Sequence, residues 1–276
     1  MDTRSAELIT RIDHLEVPRG QLALWSLGQA GFVLKGGATI AYIDPYLSSS
    51  VAEAGGPGRR FPVPVEPSAV RHAHVVLTTH EHIDHVDGQT LGPLMAASPQ
   101  ATLVTTHQGR EIALEADVPD ERILVPRLGE RIELAGLAFT ATPAAHYQYE
   151  VDEAGHSRWM GYVVELNGVT LYHAGDTIVV PELLEAVRGL GPDIALIPIN
   201  GRDHYRERMG IIGNLWPGEA VELAREVGAK VLIGIHNDLF DANRVSPGLL
   251  FDELDRRAPF QRCHILQPGE LYLYAG

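Results

Sequence analysis

The chain of 276 residues has one cysteine, Cys263. A lone cysteine excludes an intrachain disulfide and any zinc motif built on several thiolates, so a reducing compartment is expected and Cys263 reads as a small buried hydrophobe. Long apolar runs are missing as well. None approaches the roughly 18 residues that a membrane helix needs, and the opening Met1-Asp2-Thr3-Arg4-Ser5 carries no apolar signal core. Both absences predict a cytoplasmic protein with no membrane partner. Positive charge is scarce: 22 Lys and Arg stand against 36 Asp and Glu, a formal net charge of -14. That balance argues against nucleic acid, whose affinity rests largely on neutralising phosphates. What is left is a chain 45% hydrophobic, long enough to bury a large core.

Histidine is concentrated where the chain is otherwise apolar. Directly after Val75-Val76-Leu77 comes Thr78-Thr79-His80-Glu81-His82-Ile83-Asp84-His85-Val86-Asp87-Gly88. The spacing of His80, His82, Asp84 and His85 matches no helical face, because helical neighbours recur at three or four. A tight loop is predicted, in which the first two imidazoles converge on one cation while Asp84 and His85 turn toward a second. Imidazole suits zinc and its neighbours, and the carboxylate extends the range to harder cations such as manganese.

His80-x-His82-x-Asp84-His85 resembles the signature of the metallo-β-lactamase superfamily, whose sites are completed by a later His, an Asp in a Gly-Asp step and a late His. The chain supplies His146 in Pro143-Ala144-Ala145-His146, Asp176 after Gly175, and His236 in Gly234-Ile235-His236-Asn237. The resemblance covers nearly the whole chain. It implies one domain over residues 1–276 with an αββα sandwich, two mixed β-sheets face to face and helices outside. It also implies two divalent metal ions, zinc or manganese, with His80, His82 and His146 on one, Asp84, His85 and His236 on the other, and Asp176 bridging. A water held by such a pair is acidified toward neutrality, and the metals polarise the bond under attack, so hydrolysis follows. Asp84 has a second candidate role, handing a proton to the leaving oxygen. Asp44, which ends the strand Thr39–Ile43, either props a ligating imidazole from behind or starts a turn.

The rest of the chain alternates strands and helices. Leu22–Trp25 and Phe32–Leu34 read as strands joined by a tight hairpin at Gly28-Gln29-Ala30-Gly31, not as a phosphate loop. Residues 48–70, rich in Ser, Gly and Pro, read as an irregular surface segment and a candidate lid or oligomer contact, with Arg59 and Arg60 solvated. Helices are expected over Gly88–Ala97, His107–Ala116, Val180–Leu190, Pro217–Val227 and Pro247–Arg257, with strands between them. Asn167-Gly168 is the strongest hairpin turn. His107 either reaches the site or is an ordinary helix-start residue; His173 reads as an inner-strand residue or as one that supports a ligand from behind; Tyr147 and Tyr149 line the pocket or pack.

The substrate is sought in the segment after Ile194–Ile199. Pro198-Ile199-Asn200-Gly201-Arg202, Ile212-Gly213-Asn214 and His236-Asn237-Asp238-Leu239-Phe240 are similar to the L-ascorbate-6-phosphate lactonase branch of the superfamily. That likeness implies opening of the lactone ring of a phosphorylated or polyhydroxylated sugar acid. Arg202, Arg206 and Arg208 would fork onto a phosphate while Asn200 and Tyr205 orient hydroxyls. The expected partner is therefore a small, anionic molecule, with self-association as a homo-oligomer left open. The alternatives are a metallo-phosphodiesterase of the same superfamily and a non-catalytic, metal-stabilised binding module.

Overall fold

In the computed structural model, which describes residues 3–276, the chain forms two seven-stranded sheets. The first contains β1 (Gln21–Gly28), β2 (Gly31–Gly36), β3 (Thr39–Ile43), β4 (Val75–Leu77), β5 (Thr102–Val104) and β6 (Ile123–Leu124) in spatial order. The second contains β7 (Arg131–Leu134), β8 (Leu137–Pro143), β9 (Met160–Leu166), β10 (Val169–His173), β11 (Ile194–Pro198), β12 (Val231–Ile235) and β13 (Arg262–His264), also in order. A last strand, β14 (Leu271–Ala275), returns to the first sheet and pairs antiparallel with β1. Both sheets are mixed: β3 to β6 run parallel, as do β10 to β13, and the remaining pairs are antiparallel.

Alternation along the strands decides which side chains face which layer. Leu22, Leu24, Phe32 and Leu34 point to the other sheet and meet Phe139, Tyr162, Val164 and Leu171. Their neighbours Ala23, Trp25 and Val33 point outward and pack beneath α1 (Thr3–His14) and α3 (Gly88–Ala97), the latter following the short α2 (Ser50–Glu53). Side chains two apart share a face, so a strand buried on both faces must be apolar throughout. β12 obeys this throughout and β1 does over Leu22–Trp25. On the far side, Tyr172, Ala195, Ile197 and Leu232 pack under three later helices, α5 (Pro181–Val187), α7 (Pro217–Val227) and α8 (Pro247–Arg257). α4 (His107–Glu115) packs on the first sheet's outer face through Ala113, and α6 (His204–Arg208) lies on the connection after β11. The expected sandwich of two mixed sheets with helices outside is what the chain forms.

Local chemistry accounts for the departures from sequence expectation. Asn167 and Gly168 turn the β9–β10 hairpin with φ of 57° and 87°, as a turn of that type demands. The helix expected over Val180–Leu190 stops at Val187, and Gly189 takes φ 71° just beyond it. Residues 48–70 are not wholly irregular. They hold α2, and Arg59 donates to the carbonyls of Tyr46 and Ser48 at 3.0 and 3.1 Å, while Arg60 pairs with Asp241 at 2.8 Å. The segment is thereby pinned beside the chain that follows His236.

Candidate metal centre

Four strand ends deliver the candidate ligands. β4 leads into the Thr78–Asp87 loop, β8 into His146, β10 into Asp176 and β12 into His236. The loop is wound by its own backbone: the N–H groups of His85 and Val86 both donate to the His82 carbonyl at 2.8 Å. Asp87 closes it by capping α3, accepting from the Gln89 N–H at 3.2 Å. Asp44 ties the loop down from β3. Its Oδ1 accepts the Thr79 N–H at 2.8 Å, its Oδ2 accepts the Thr79 hydroxyl at 2.8 Å, and Oδ2 also lies 2.7 Å from His85 Nδ1. That bond fixes the His85 ring and turns Nε2 toward the centre. Gly175 is required before Asp176, because at φ 64° an added Cβ would stand 2.6 Å from the Met160 carbonyl.

The seven side chains converge. His80 Nε2 lies 3.0 Å from His82 Nδ1, and the His146 ring is 5.2 and 4.8 Å from those two by ring centroids. On the other side, His236 Nε2 lies 3.4 Å from His85 Nε2 and 3.5 Å from Asp84 Oδ2. Asp176 stands between the two groups. Its Oδ2 is 3.1 Å from His236 and 3.5 Å from His146, and its Oδ1 is 3.5 Å from His85.

These residues fit divalent cations. Donors bound at about 2.0–2.1 Å around one zinc-sized ion sit roughly 3–3.4 Å apart, which is the spacing between the facing ring nitrogens. Among the described residues, His146 Nδ1 and Asp176 Oδ1 are buried with no hydrogen-bond partner, a costly arrangement for a site meant to stay purely protein. The charge balance agrees. Burial, followed by His85, holds the His80 imidazole well below its ordinary range, and burial pushes His146 down to about 3. Burial also opposes charge on His236 and His85, but the facing carboxylates, Asp176 first and then Asp84 with Asp44 added at His85, together outweigh it, lifting His236 to about 9 and His85 well above its usual value. Burial favours protonation of Asp84 and Asp176, yet the neighbouring imidazoles keep both carboxyls well below the usual range. The pocket thus has neutral nitrogens on one side and buried anions that call for positive charge on the other.

Gln29 is the site residue that the sequence reading passed over. The β1–β2 hairpin places it with φ 57°, buried, and its Nε2 lies 2.7 Å from Asp84 Oδ2 and 3.0 Å from His236 Nε2. A polar, non-glycine residue inside a Gly-x-x-Gly turn was the available signal: a turn alone gives no reason to hold a Gln in a left-handed conformation.

The remaining predicted residues fall elsewhere. Asn200 is buried in an amide chain: its Oδ1 accepts from Asn214 at 3.1 Å, its Nδ2 donates to Asn243 Oδ1 at 2.7 Å, and Asn243 Nδ2 is 3.4 Å from His236 Nδ1. Arg202 grips Glu219 with two bonds of 2.8 and 2.7 Å. Arg206 binds Asp203 at 2.5 Å and the Asn200 carbonyl at 2.9 Å. Tyr205 and Arg208 are exposed, as is Tyr147 next to His146. His173 faces inward, its Nε2 2.9 Å from the Ala30 carbonyl. His107 belongs to a separate cluster with Asp152 and His156. Cys263 is half-buried on β13, its thiol pushed up to about 12 by burial.

Comparison with known proteins gives the family. Residues 40–237 match the family described as the beta-lactamase superfamily domain. A UPF0173 metal-dependent hydrolase of Methanoculleus marisnigri is 30% identical over 248 residues, covering 88% of this chain and 93% of that one. Its counterpart in Sulfurisphaera tokodaii is 29% identical over 256 residues, covering 88% and 96%. Among solved structures, an isothiocyanate hydrolase from Delia radicum gut bacteria superposes with a TM-score of 0.71 at 18% identity, over 92% of this chain and 100% of that one. At that identity the likeness is one of fold. The chain belongs to the metallo-β-lactamase superfamily and, within it, to the UPF0173 metal-dependent hydrolases.

Proposed function

We propose that the chain is a two-cation hydrolase that opens the lactone ring of a polyhydroxylated or phosphorylated sugar acid. The observation that carries the reading is the position of Asp176 between two three-residue donor groups, within 3.5 Å of His146 on one side and 3.1 Å of His236 on the other. His80, His82 and His146 would hold one cation, Asp84, His85 and His236 the other, with Asp176 shared. A cation pair held there supplies an acidified water and a Lewis acid for the carbonyl oxygen.

The chain's own residues set the rest. Asp44 and Gln29 hold His85 and Asp84 in place through bonds of 2.7 Å each. Asp84 is the carboxylate nearer solvent, its side chain 17% exposed against 4% for Asp176, so it is the one placed to pass a proton to the departing ring oxygen. Tyr147, exposed next to His146, offers a ring and a hydroxyl to the sugar. The two ion-paired arginines, Arg202 and Arg206, bear on the phosphate. A substrate phosphate would have to displace Glu219 from Arg202, so a lactone without phosphate is the better first substrate.

The test is ring opening of paired sugar-acid lactones, with and without phosphate, by chelator-stripped protein reloaded separately with Mn²⁺ and Zn²⁺ beside a generic phosphodiester. Metal-dependent lactone opening that is lost in His82→Ala and Asp176→Ala is expected. Brisk phosphodiester cleavage with inert lactones would replace the substrate class and keep the metal assignment. Turnover surviving in either ligand variant would overturn the mechanism.

A further inference from the structure

Outside the central cradle, a second group of donors has no part in the proposed reaction. His107 opens α4, on the first sheet's outer face, while Asp152 and His156 belong to the loop between β8 and β9. Ligand-capable atoms of the three lie within 4.8 Å of one another. The His107 and His156 rings meet edge to face at 4.5 Å. Asp152 divides its two oxygens between two tasks. Oδ1 accepts the N–H groups of Ala154 and His156, each at 2.9 Å, and holds the turn, whereas Oδ2 points to His156 Nδ1 at 3.2 Å. The loop is closed further by the Val151–Ser157 bridge and by the Asp152 N–H donating to the His156 carbonyl at 2.9 Å. The turn therefore stands without help from His107, and nothing in the loop's own bonding calls for that imidazole.

We infer that His107, Asp152 and His156 form a peripheral site for a transition-metal dication of the zinc type. Two imidazoles and one carboxylate favour zinc, nickel or copper over calcium or magnesium, which prefer all-oxygen shells. Two of the three ligands are exposed, so water completes the coordination and binding is weaker than in a closed structural site.

Its position gives it a role. The loop that carries Asp152 and His156 begins directly after His146 and ends at Arg158, whose guanidinium binds Glu81 at 2.7 Å, between His80 and His82. A dication gripping this loop and α4 fastens the two layers together at the rim of the central site. The loop, whose tip at Gly155 already accepts the Leu128 N–H at 3.0 Å, is then a strap that the cation ties to α4, and its mobility falls when the site fills.

The inference stands whether or not the central residues act as proposed, because its test counts a difference. Chelator-stripped wild type and the variants His107→Gln, Asp152→Asn and His156→Ala are titrated with Zn²⁺ by equilibrium dialysis and metal analysis. Asp152→Asn keeps a carbonyl oxygen for the turn while removing the anion. Each variant is expected to bind one equivalent fewer than wild type, or to bind that equivalent at least tenfold more weakly, with unchanged circular dichroism. Zn²⁺ is expected to slow proteolysis within residues 147–158 in wild type and not in His107→Gln. Equal stoichiometry and affinity in wild type, His107→Gln and Asp152→Asn would overturn the site. A loss confined to His156→Ala would do the same, since the three-residue site requires all of them. Zn²⁺-independent proteolysis in wild type would overturn the strap.

Discussion

Gln29 and His236 face each other in left-handed backbone conformations, φ 57° and 61°, and the His236 N–H donates to the Gln29 carbonyl at 2.8 Å. One closes a hairpin of the first sheet, and the other ends a strand of the second. Neither is glycine, and such conformations cost on the order of 1 kcal/mol each for ordinary residues. The contact locks the two sheets at the candidate metal centre and aims both side chains at Asp84. Two substitutions at position 29 separate backbone strain from side-chain function. Gln29→Gly and Gln29→Ala both remove the carboxamide, and both are expected to lose about 10–100-fold in metal affinity or turnover, as outer hydrogen-bonding partners of ligands commonly do. Gln29→Gly should nevertheless be more stable than Gln29→Ala by about 1 kcal/mol, because only Ala keeps the strain. Chemical denaturation of the metal-free variants checks the difference. Equal stabilities would mean that the turn is not strained.

Asp44 makes the matching prediction from the other side of the centre. Its carboxylate is buried, holds Thr79 by two bonds of 2.8 Å and touches His85 Nδ1 at 2.7 Å. Asp44→Asn keeps the shape but offers His85 one less anionic acceptor, so the ring loses its orientation and some basicity. On the proposed two-cation reading, roughly 10–100-fold weaker binding of one metal equivalent is expected, with the other little changed. Competition against a chelator reads both equivalents. Equal weakening of the two would move Asp44's role from His85 to the whole loop.

The fold was legible because periodicity and turn chemistry are local. Val75–Leu77 and Val231–Ile235 are short apolar runs that end in turns, and each became a strand. The tight donor-rich loop was legible because four donors in six residues cannot sit on one helical face. Gln29 was not, since its role depends on a hairpin in one sheet meeting the end of a strand in the other, a juxtaposition that no local pattern records. Arg202 shows what a local pattern leaves out in the other direction. A cluster of arginines near a site suggests phosphate, but a guanidinium is committed by whichever carboxylate the fold brings to it, and Glu219 lies 17 positions away at the start of α7.

That pair is itself testable. Arg202 donates twice to Glu219, whose Oε2 also accepts the Trp216 N–H at 2.9 Å at the head of α7. Both side chains are about a third exposed, so solvent discounts the pair to about 0.5–1 kcal/mol. Arg202→Ala and Glu219→Ala should each lower stability by about that amount and leave KM for an unphosphorylated lactone unchanged. A rise in KM confined to the phosphorylated lactone in Arg202→Ala would show that the guanidinium leaves Glu219 to meet substrate.

The last prediction concerns acid stability away from the metal centre. His72 is packed against Tyr42, its Nε2 2.8 Å from the Tyr42 hydroxyl and its Nδ1 2.6 Å from Asp13 Oδ1. Burial lowers its pKa below the ordinary 6.5, and the favourable Asp13 bond only partly offsets this. A histidine depressed in the folded state binds fewer protons there than in the unfolded chain, so stability rises with pH across the window between the two values. His72 therefore contributes fully above pH 6.5 and progressively less as pH falls toward its folded value, below which the penalty is constant. His72→Gln removes this component. Plotted against pH, the stability of wild type minus that of His72→Gln should be flat above about 6.5 and slope downward below it. A difference that grows on acidification would mean that the Asp13 bond outweighs burial and that His72 is charged in the native fold.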